Sequence, residues 1–265
     1  MDYKEIIYEK KEHVALITLN RPEAMNALTM VTYQEMGDAL LDAQDDRQTR
    51  VVVITGAGRG FCSGDDVRQV MMAPDAEQKR AQARLRVKTG PTPAARILLE
   101  HAKPTIAAVN GAAVGWGCDL ALMCDLRIAS ERARLGEIFV HRGLIPDLGG
   151  IYQLPLIVGL SKAYELLYTG SVVDAQEALR IGLVSQVVPH EELMPATMGW
   201  AQRIAALPPL AVQMAKEAVR RGHGCDTQAL GEYHSYALNI LFSTEDHKEG
   251  ASAFLEKREP VFKGS

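Results

Sequence analysis

Between Gly111 and Gly150 the chain reads GAAVGWGCDLALMCDLRIASERARLGEIFVHRGLIPDLGG. A buried-type strand, Thr105–Val109, is reached through Pro104, and a glycine-broken loop then opens straight into an apolar helix pattern. A strand, a glycine turn and a helix in that order belong to a layered α/β fold. Unpaired backbone N–H groups at a helix start favour developing negative charge. About thirty residues on, a second turn, Gly143-Leu-Ile-Pro-Asp-Leu-Gly-Gly150, carries a lone carboxylate, Asp147. A carboxylate in an apolar setting can be a tuned base. Donor loop and acid together suggest oxyanion chemistry.

The rest of the chain repeats this alternation. Glu5–Tyr8, Val14–Leu19 and Val51–Thr55 read as strands. Thr29–Asp45 has helical spacing, with Met30, Tyr33, Met36, Leu40 and Leu41 apolar and Thr29 as N-cap. Met71–Leu99 looks helical but polar, broken at Gly90-Pro91-Thr92-Pro93, and reads as a flap. The helix Cys118–Cys124 and the strand Leu126–Ser130 follow. Helices near Gly149–Val158, Lys162–Thr169 and Asp174–Ile181 come next, with a short strand at Leu183–Val188. From Met194 to Glu259 the pattern is helical throughout. Repeated strand–strand–helix units with a helical tail predict an α/β core and a C-terminal helical appendage.

Composition narrows the function. A chain of 265 residues that is 47% hydrophobic can bury a sizeable core. A net charge of -4 offers no basic footprint for nucleic acid. Cys62, Cys118, Cys124 and Cys225 lack metal-ligand spacing, so reduced thiols and no metal site are expected. The N-terminus has no apolar signal core and no window suits a membrane helix, which points to a cytoplasmic protein.

Several motifs have bland readings. Gly56-Ala-Gly-Arg-Gly60 superficially resembles a dinucleotide loop, but no helix follows at once and no acid sits in a following strand. Phe61-Cys-Ser-Gly-Asp-Asp66 alone would be a solvated turn. Combined with Gly111–Asp119 it becomes specific, because an oxyanion hole needs two backbone donors from separate loops. His101, His141, His190 and His223 read as surface or satisfied histidines, and no Ser-His-Asp order appears.

At these residues the chain resembles the crotonase, or enoyl-CoA hydratase/isomerase, family. The resemblance runs through Asn20-Arg21-Pro22, Asn26-Ala27-Leu28, Phe61–Asp66, Lys103-Pro104, Asn110-Gly111, Gly115–Asp125 and Gly143–Gly150. It continues through Gly170, Ala175–Ala178 and Gly182-Leu-Val184 to the tail Lys257-Arg-Glu-Pro-Val-Phe262. It implies a spiral of ββα units over residues 1–193 holding an acyl-CoA site. A C-terminal helical region over 194–265 would build homotrimers, often paired into hexamers. Coenzyme A would be part of the substrate, with no separate cofactor. The N–H groups of Asp65 and Trp116 would form the oxyanion hole for a thioester enolate. Ala24, Ser63, Asp65, Asp66, Val67, Arg68, Trp116 and Phe139 would line the substrate and CoA site. Arg21 or Lys263 could meet the CoA phosphates.

The chain departs from the family's hydratases where they carry two glutamates. The first position holds Asp119, one methylene shorter, and the second holds Phe139, which transfers no proton. Asp147 remains, at a position where family isomerases resembling the phenylacetate-pathway and dienoyl-CoA enzymes carry a catalytic aspartate. A related dehalogenase has its partner histidine where Thr92 stands, which disfavours dehalogenation. The leading expectation is double-bond isomerisation with Asp147 as acid/base. Phe139 would desolvate it, and Asp119 would position substrate or act as a second acid. Hydration or hydrolysis of a conjugated or cyclic acyl-CoA by Asp119 and Asp147 is the alternative. A non-catalytic acyl-CoA binder is a third reading, and Asp147 as a plain helix cap is the bland one.

Overall fold

The computed structural model describes residues 2–71, 93–222, 224 and 226–265. Two sheets organise the described residues. The larger has the order β1 (Ile6–Lys11), β2 (Val14–Leu19), β3 (Val51–Gly56), β5 (Thr105–Val109), β7 (Leu126–Ser130) and β10 (Gln186–Val188). Only its first pair is antiparallel. The smaller has the order β4 (Gly60–Cys62), β6 (Ala112–Val114), β8 (Arg134–Gly136) and β9 (Val173–Asp174).

The chain alternates between the sheets. β3, β5 and β7 are neighbours in the larger sheet, and the strands that follow them, β4, β6 and β8, are neighbours in the smaller. Each pair then runs into helical structure, so the repeated strand–strand–helix units form successive turns of a spiral. The central strands β3 and β5 are buried on both faces, which is why they read as unbroken apolar runs, whereas the edge strand β1 is largely exposed. Val52, Ile54, Ala107, Val109 and Ala129 face the main core. Val51, Val53, Ile106, Ala108 and Ile128 face α7 (Leu193–Ala205) through Leu193, Ala201 and Ala205.

The helices otherwise run α1 (Met30–Asp45), α2 (Pro93–Glu100), α3 (Trp116–Met123), α4 (Leu154–Val158), α5 (Leu160–Thr169) and α6 (Ala175–Arg180). After α7 come α8 (Pro209–Gly222), α9 (Thr227–Phe242) and α10 (Glu245–Glu256). Thr29 caps α1 with a capping box to Thr32, and its hydroxyl accepts from Val31 N–H at 3.1 Å. No helix among the described residues is long and apolar enough to cross a membrane.

Several boundaries differ from the sequence expectation; the first strand, for one, runs Ile6–Lys11 rather than Glu5–Tyr8. The helix expected from Cys118 begins two residues earlier, at Trp116. The helix expected from Gly149 opens as a π turn, Gly149–Gln153, before α4. The strand expected from Leu183 is confined to Gln186–Val188. Of the flap expected over Met71–Leu99, residues 72–92 lie outside the described residues, as do His223 and Cys225.

The glycine run Gly56–Gly60 is a connection between the two sheets. Asn26 Nδ2 donates to the carbonyls of Ala57 at 2.9 Å and Gly60 at 2.8 Å. Asn110 Nδ2 donates to those of Gly58 at 3.0 Å and Gly60 at 3.1 Å. Two buried asparagines thus replace the missing strand ladder at a tight corner.

Candidate active site

A cavity of about 420 Å³ opens between the Ala24–Ala27 turn, the segment Ser63–Arg68, the start of α3 and the 3₁₀ turn Ile138–Arg142. Ala24, Ser63, Asp65, Asp66, Val67, Arg68, Trp116 and Phe139 all line it. The sequence analysis missed Ile138, Arg142 and Leu144 in the wall. Arg21, considered there for the CoA phosphates, is not in the lining but pairs with Asp66, which is, at 3.2 Å, and with Glu5 at 3.5 Å. Lys263 lines a different cavity, among Glu245, Glu249 and Arg258.

The two expected backbone donors lie side by side. A Cβ built on Gly64 would stand 3.1 Å from the Trp116 nitrogen, so the Asp65 loop and the start of α3 are in contact. Gly115 turns the chain into α3 with φ +55, a conformation that costs glycine nothing. Gly117 packs so closely on the strand β4 that a Cβ would stand 2.0 Å from the Cys62 carbonyl oxygen. Because α3 begins at Trp116, the N–H of that residue belongs to the unpaired first turn. Among the described residues, the N–H groups of Asp65 and Trp116 donate no hydrogen bond within the chain.

Side chains tie these donors to Asp147. The Tyr33 hydroxyl donates to Asp65 Oδ1 at 2.6 Å, and the Tyr33 and Trp116 rings meet edge to face, 4.8 Å between centroids. The Trp116 indole Nε1 donates to Asp147 Oδ2 at 3.4 Å, and the Leu148 N–H donates to Asp147 Oδ1 at 2.8 Å. Asp147 is half-buried. Its Oδ1 accepts from the residue that opens the following helical turn and its carbonyl accepts the Ile151 N–H at 3.1 Å, so Asp147 also serves as the cap of that turn. Phe139 stands in the cavity wall and packs on the core. The contacts that hold the Asp147 carboxylate come from Trp116 and Leu148.

Asp119 takes a different place from the one expected. It is fully buried and lies behind the cavity rather than in its lining. Its Oδ2 accepts the Asp147 N–H at 2.9 Å and its Oδ1 accepts the Gly150 N–H at 2.5 Å. Both oxygens therefore hold the turn that carries Asp147. Burial pushes its carboxyl up to about 7, against the pull of those two N–H bonds, and the charges of Asp147 and Asp65 add to the rise. Burial also raises the carboxyl of Asp65, while the Tyr33 hydroxyl bond lowers it and the Asp147 charge raises it further.

One more carboxyl escaped the sequence reading. Glu137 is 2% exposed, and neither of its oxygens has a hydrogen-bond partner among the described residues. Its setting, RLGEIFVHR, has a surface-like charge density and no period that would announce burial. Among the described residues the histidines are satisfied or exposed. His101 is buried, with its ring nitrogens 3.1 Å from the carbonyls of Lys103 and Leu40, and His141 reaches the Thr169 carbonyl at 2.9 Å. No group of three or more metal-ligating side chains forms among the described residues.

Comparison with known proteins gives this geometry a family. Residues 9–265 match the family model described as enoyl-CoA hydratase/isomerase. The chain is 41% identical over 263 residues to a crotonyl-CoA hydratase of Syntrophomonas wolfei, covering 99% of each. It is 40% identical to a short-chain-enoyl-CoA hydratase of Clostridium acetobutylicum, covering 97% of each. The crystal structure of an enoyl-CoA hydratase from Bacillus anthracis superposes with a TM-score of 0.90 at 36% identity, over 99% of this chain and 100% of that one. The two-sheet spiral is thus the crotonase fold, and this chain belongs to the enoyl-CoA hydratase/isomerase family.

Proposed function

We propose that this chain adds water reversibly across the double bond of a 2-enoyl-CoA thioester. The observation that carries the reading is the junction at Trp116. Its backbone N–H is an unpaired helix-start donor, while its indole reaches from the cavity wall to the Asp147 carboxylate, which is not itself among the lining residues. Acyl activation and proton transfer would then be set by one residue. The thioester oxygen would accept the N–H bonds of Asp65 and Trp116. Water would attack the β carbon as the π electrons move to that oxygen. Asp147 would take the proton that the water loses and return it to the α carbon of the enolate. Asp119 would act behind it, holding the Asp147 turn through two N–H bonds. Each oxyanion donor of this type is worth roughly 3–4 kcal/mol in the transition state. Water addition rather than double-bond migration is favoured by the full-length relatives, which are named hydratases.

A second reading, double-bond isomerisation, draws on a specific observation. Phe139 lines the wall where the family's hydratases carry a second glutamate, and both oxygens of Asp119 are spent on backbone. That arrangement leaves Asp147 to move a proton between two carbons by itself. Turnover of crotonyl-CoA and of a 3-enoyl-CoA in ¹⁸O-labelled water separates the two. Hydration places ¹⁸O in the product; isomerisation yields the conjugated regioisomer with no ¹⁸O. Absence of turnover on both substrates overturns both readings.

A further inference from the structure

A buried carboxyl with no partner is costly, and a native structure that keeps one calls for a reason. Glu137 is such a group, and its position ties it to the Asp147 turn. Its carboxyl carbon is 3.0 Å from where a Cβ on Gly150 would stand, and Asp119 Oδ1 is 2.5 Å from where a Cβ on Gly149 would stand. The two carboxyls thus press on the same pair of glycines. The Gly150 N–H that lies between them is already committed to Asp119.

We infer that Glu137 is a positioning residue that holds a proton beside Asp119, so that Asp119 alone carries the charge that grips the Asp147 turn. Two facing carboxyls in a dry pocket cannot both ionise at modest cost, so the pair shares one charge. Asp119 is the member with two N–H donors and takes the charge. Glu137, with none, keeps the proton. The groups facing Glu137 support this division. From α3 come the Cys118 thiol and the Asp119 carboxyl, and from the π turn comes only the Gly150 backbone. No cation among the described residues is set against it. Burial first and then the Asp119 charge raise its carboxyl well above the usual range, against the weaker pull of the Cys118 thiol. Where Asp119 is charged and Glu137 neutral, the turn is held. Once Glu137 loses its proton, repulsion between the two carboxylates works against the grip.

The inference deepens the proposed proton-transfer site and rests on that reading for its kinetic arm. Glu137→Gln keeps the shape and a permanently neutral head; Glu137→Ala removes both. The alanine variant is expected to lose about tenfold or more in kcat/KM, with the glutamine variant recovering most of that loss. In the glutamine variant the alkaline limb of the pH profile is expected to move up by about one unit or more, since the second proton is gone. An alkaline limb that stays in place in a folded glutamine variant overturns the inference. A second arm needs no turnover. Infrared difference spectra of the wild-type protein should show the carbonyl stretch of a protonated carboxylic acid at neutral pH, absent in Glu137→Gln. In Asp119→Asn the same band should titrate at lower pH, because the neighbouring charge is removed. A band that survives in Glu137→Gln, or one indifferent to Asp119→Asn, also overturns it. If the spectra behave as expected while enoyl-CoA turnover is absent, the proton-sharing pair stands and the proposed reaction falls.

Discussion

Two parts of this molecule bury charge and treat it in opposite ways. At the seam between the larger sheet and α8, every buried cation is matched. Arg127 Nε donates to the Leu183 carbonyl at 2.7 Å and its Nη1 to the Cys124 carbonyl at 2.7 Å. Lys103 Nζ donates to the carbonyls of Ala43 at 2.6 Å and Asp46 at 2.7 Å. Lys216 pairs with Asp125 at 2.7 Å. In the cavity wall and behind it, three carboxyls and a carboxylate turn sit together: Asp65 in the wall, with Asp119, Glu137 and Asp147 outside the lining. Their side-chain O–H and N–H donors are Tyr33 and Trp116, and among the described residues the Glu137 oxygens accept no N–H or O–H bond. Burial raises three of these carboxyls. The first region has the satisfied networks that specify a structure; the second stores the unfavourable electrostatics that proton chemistry uses.

The contrast can be broken from either side. The largest effect is expected at Asp147. Asp147→Asn keeps the shape and removes the base, and should lower kcat by about 10²–10⁴-fold with little change in Tm. Steady-state kinetics beside thermal unfolding measure this, and full turnover would remove Asp147 from the chemistry. Arg127→Met should do the reverse. It strands the carbonyls of Leu183 and Cys124 and should cost about 3 kcal/mol or more of stability by urea unfolding. The protein that remains folded should keep its kcat.

The smallest effect is a slope. The Asp119 carboxyl is raised in the folded protein to about 7. The folded state therefore binds more protons than the unfolded state between the ordinary aspartate range and that value. Stability from this group is full below the unfolded pKa and is lost as pH rises through the folded one. Asp119→Asn should flatten the decline in unfolding free energy between about pH 4 and pH 7 relative to wild type. Parallel curves for the two proteins would show that Asp119 does not titrate there.

Much of the frame was legible because its signals are local. Val14–Leu19, Thr105–Val109 and Leu126–Ser130 appear as strands with the expected bounds, since short apolar runs between turn residues leave few alternatives. Thr29 caps α1 as its position before the first apolar repeat suggests. All eight residues expected around the substrate line one cavity, because they travel in contiguous motifs. The favoured reaction was less legible. The missing glutamate at Phe139 spoke for isomerisation, whereas the full-length relatives carry hydratase names.

What the sequence by itself determined was the alternation of strand and helix, the family and a set of residues that line one cavity. What only the tertiary structure decided was the state of the carboxyls. Asp119 meets Asp147 and Gly150 across about thirty positions of chain. Glu137 looks like a surface residue until Gly150 and α3 close over it. A motif is carried by neighbours in sequence, but desolvation is carried by neighbours in space. The charge of a carboxyl can therefore be read only once the fold has placed its surroundings.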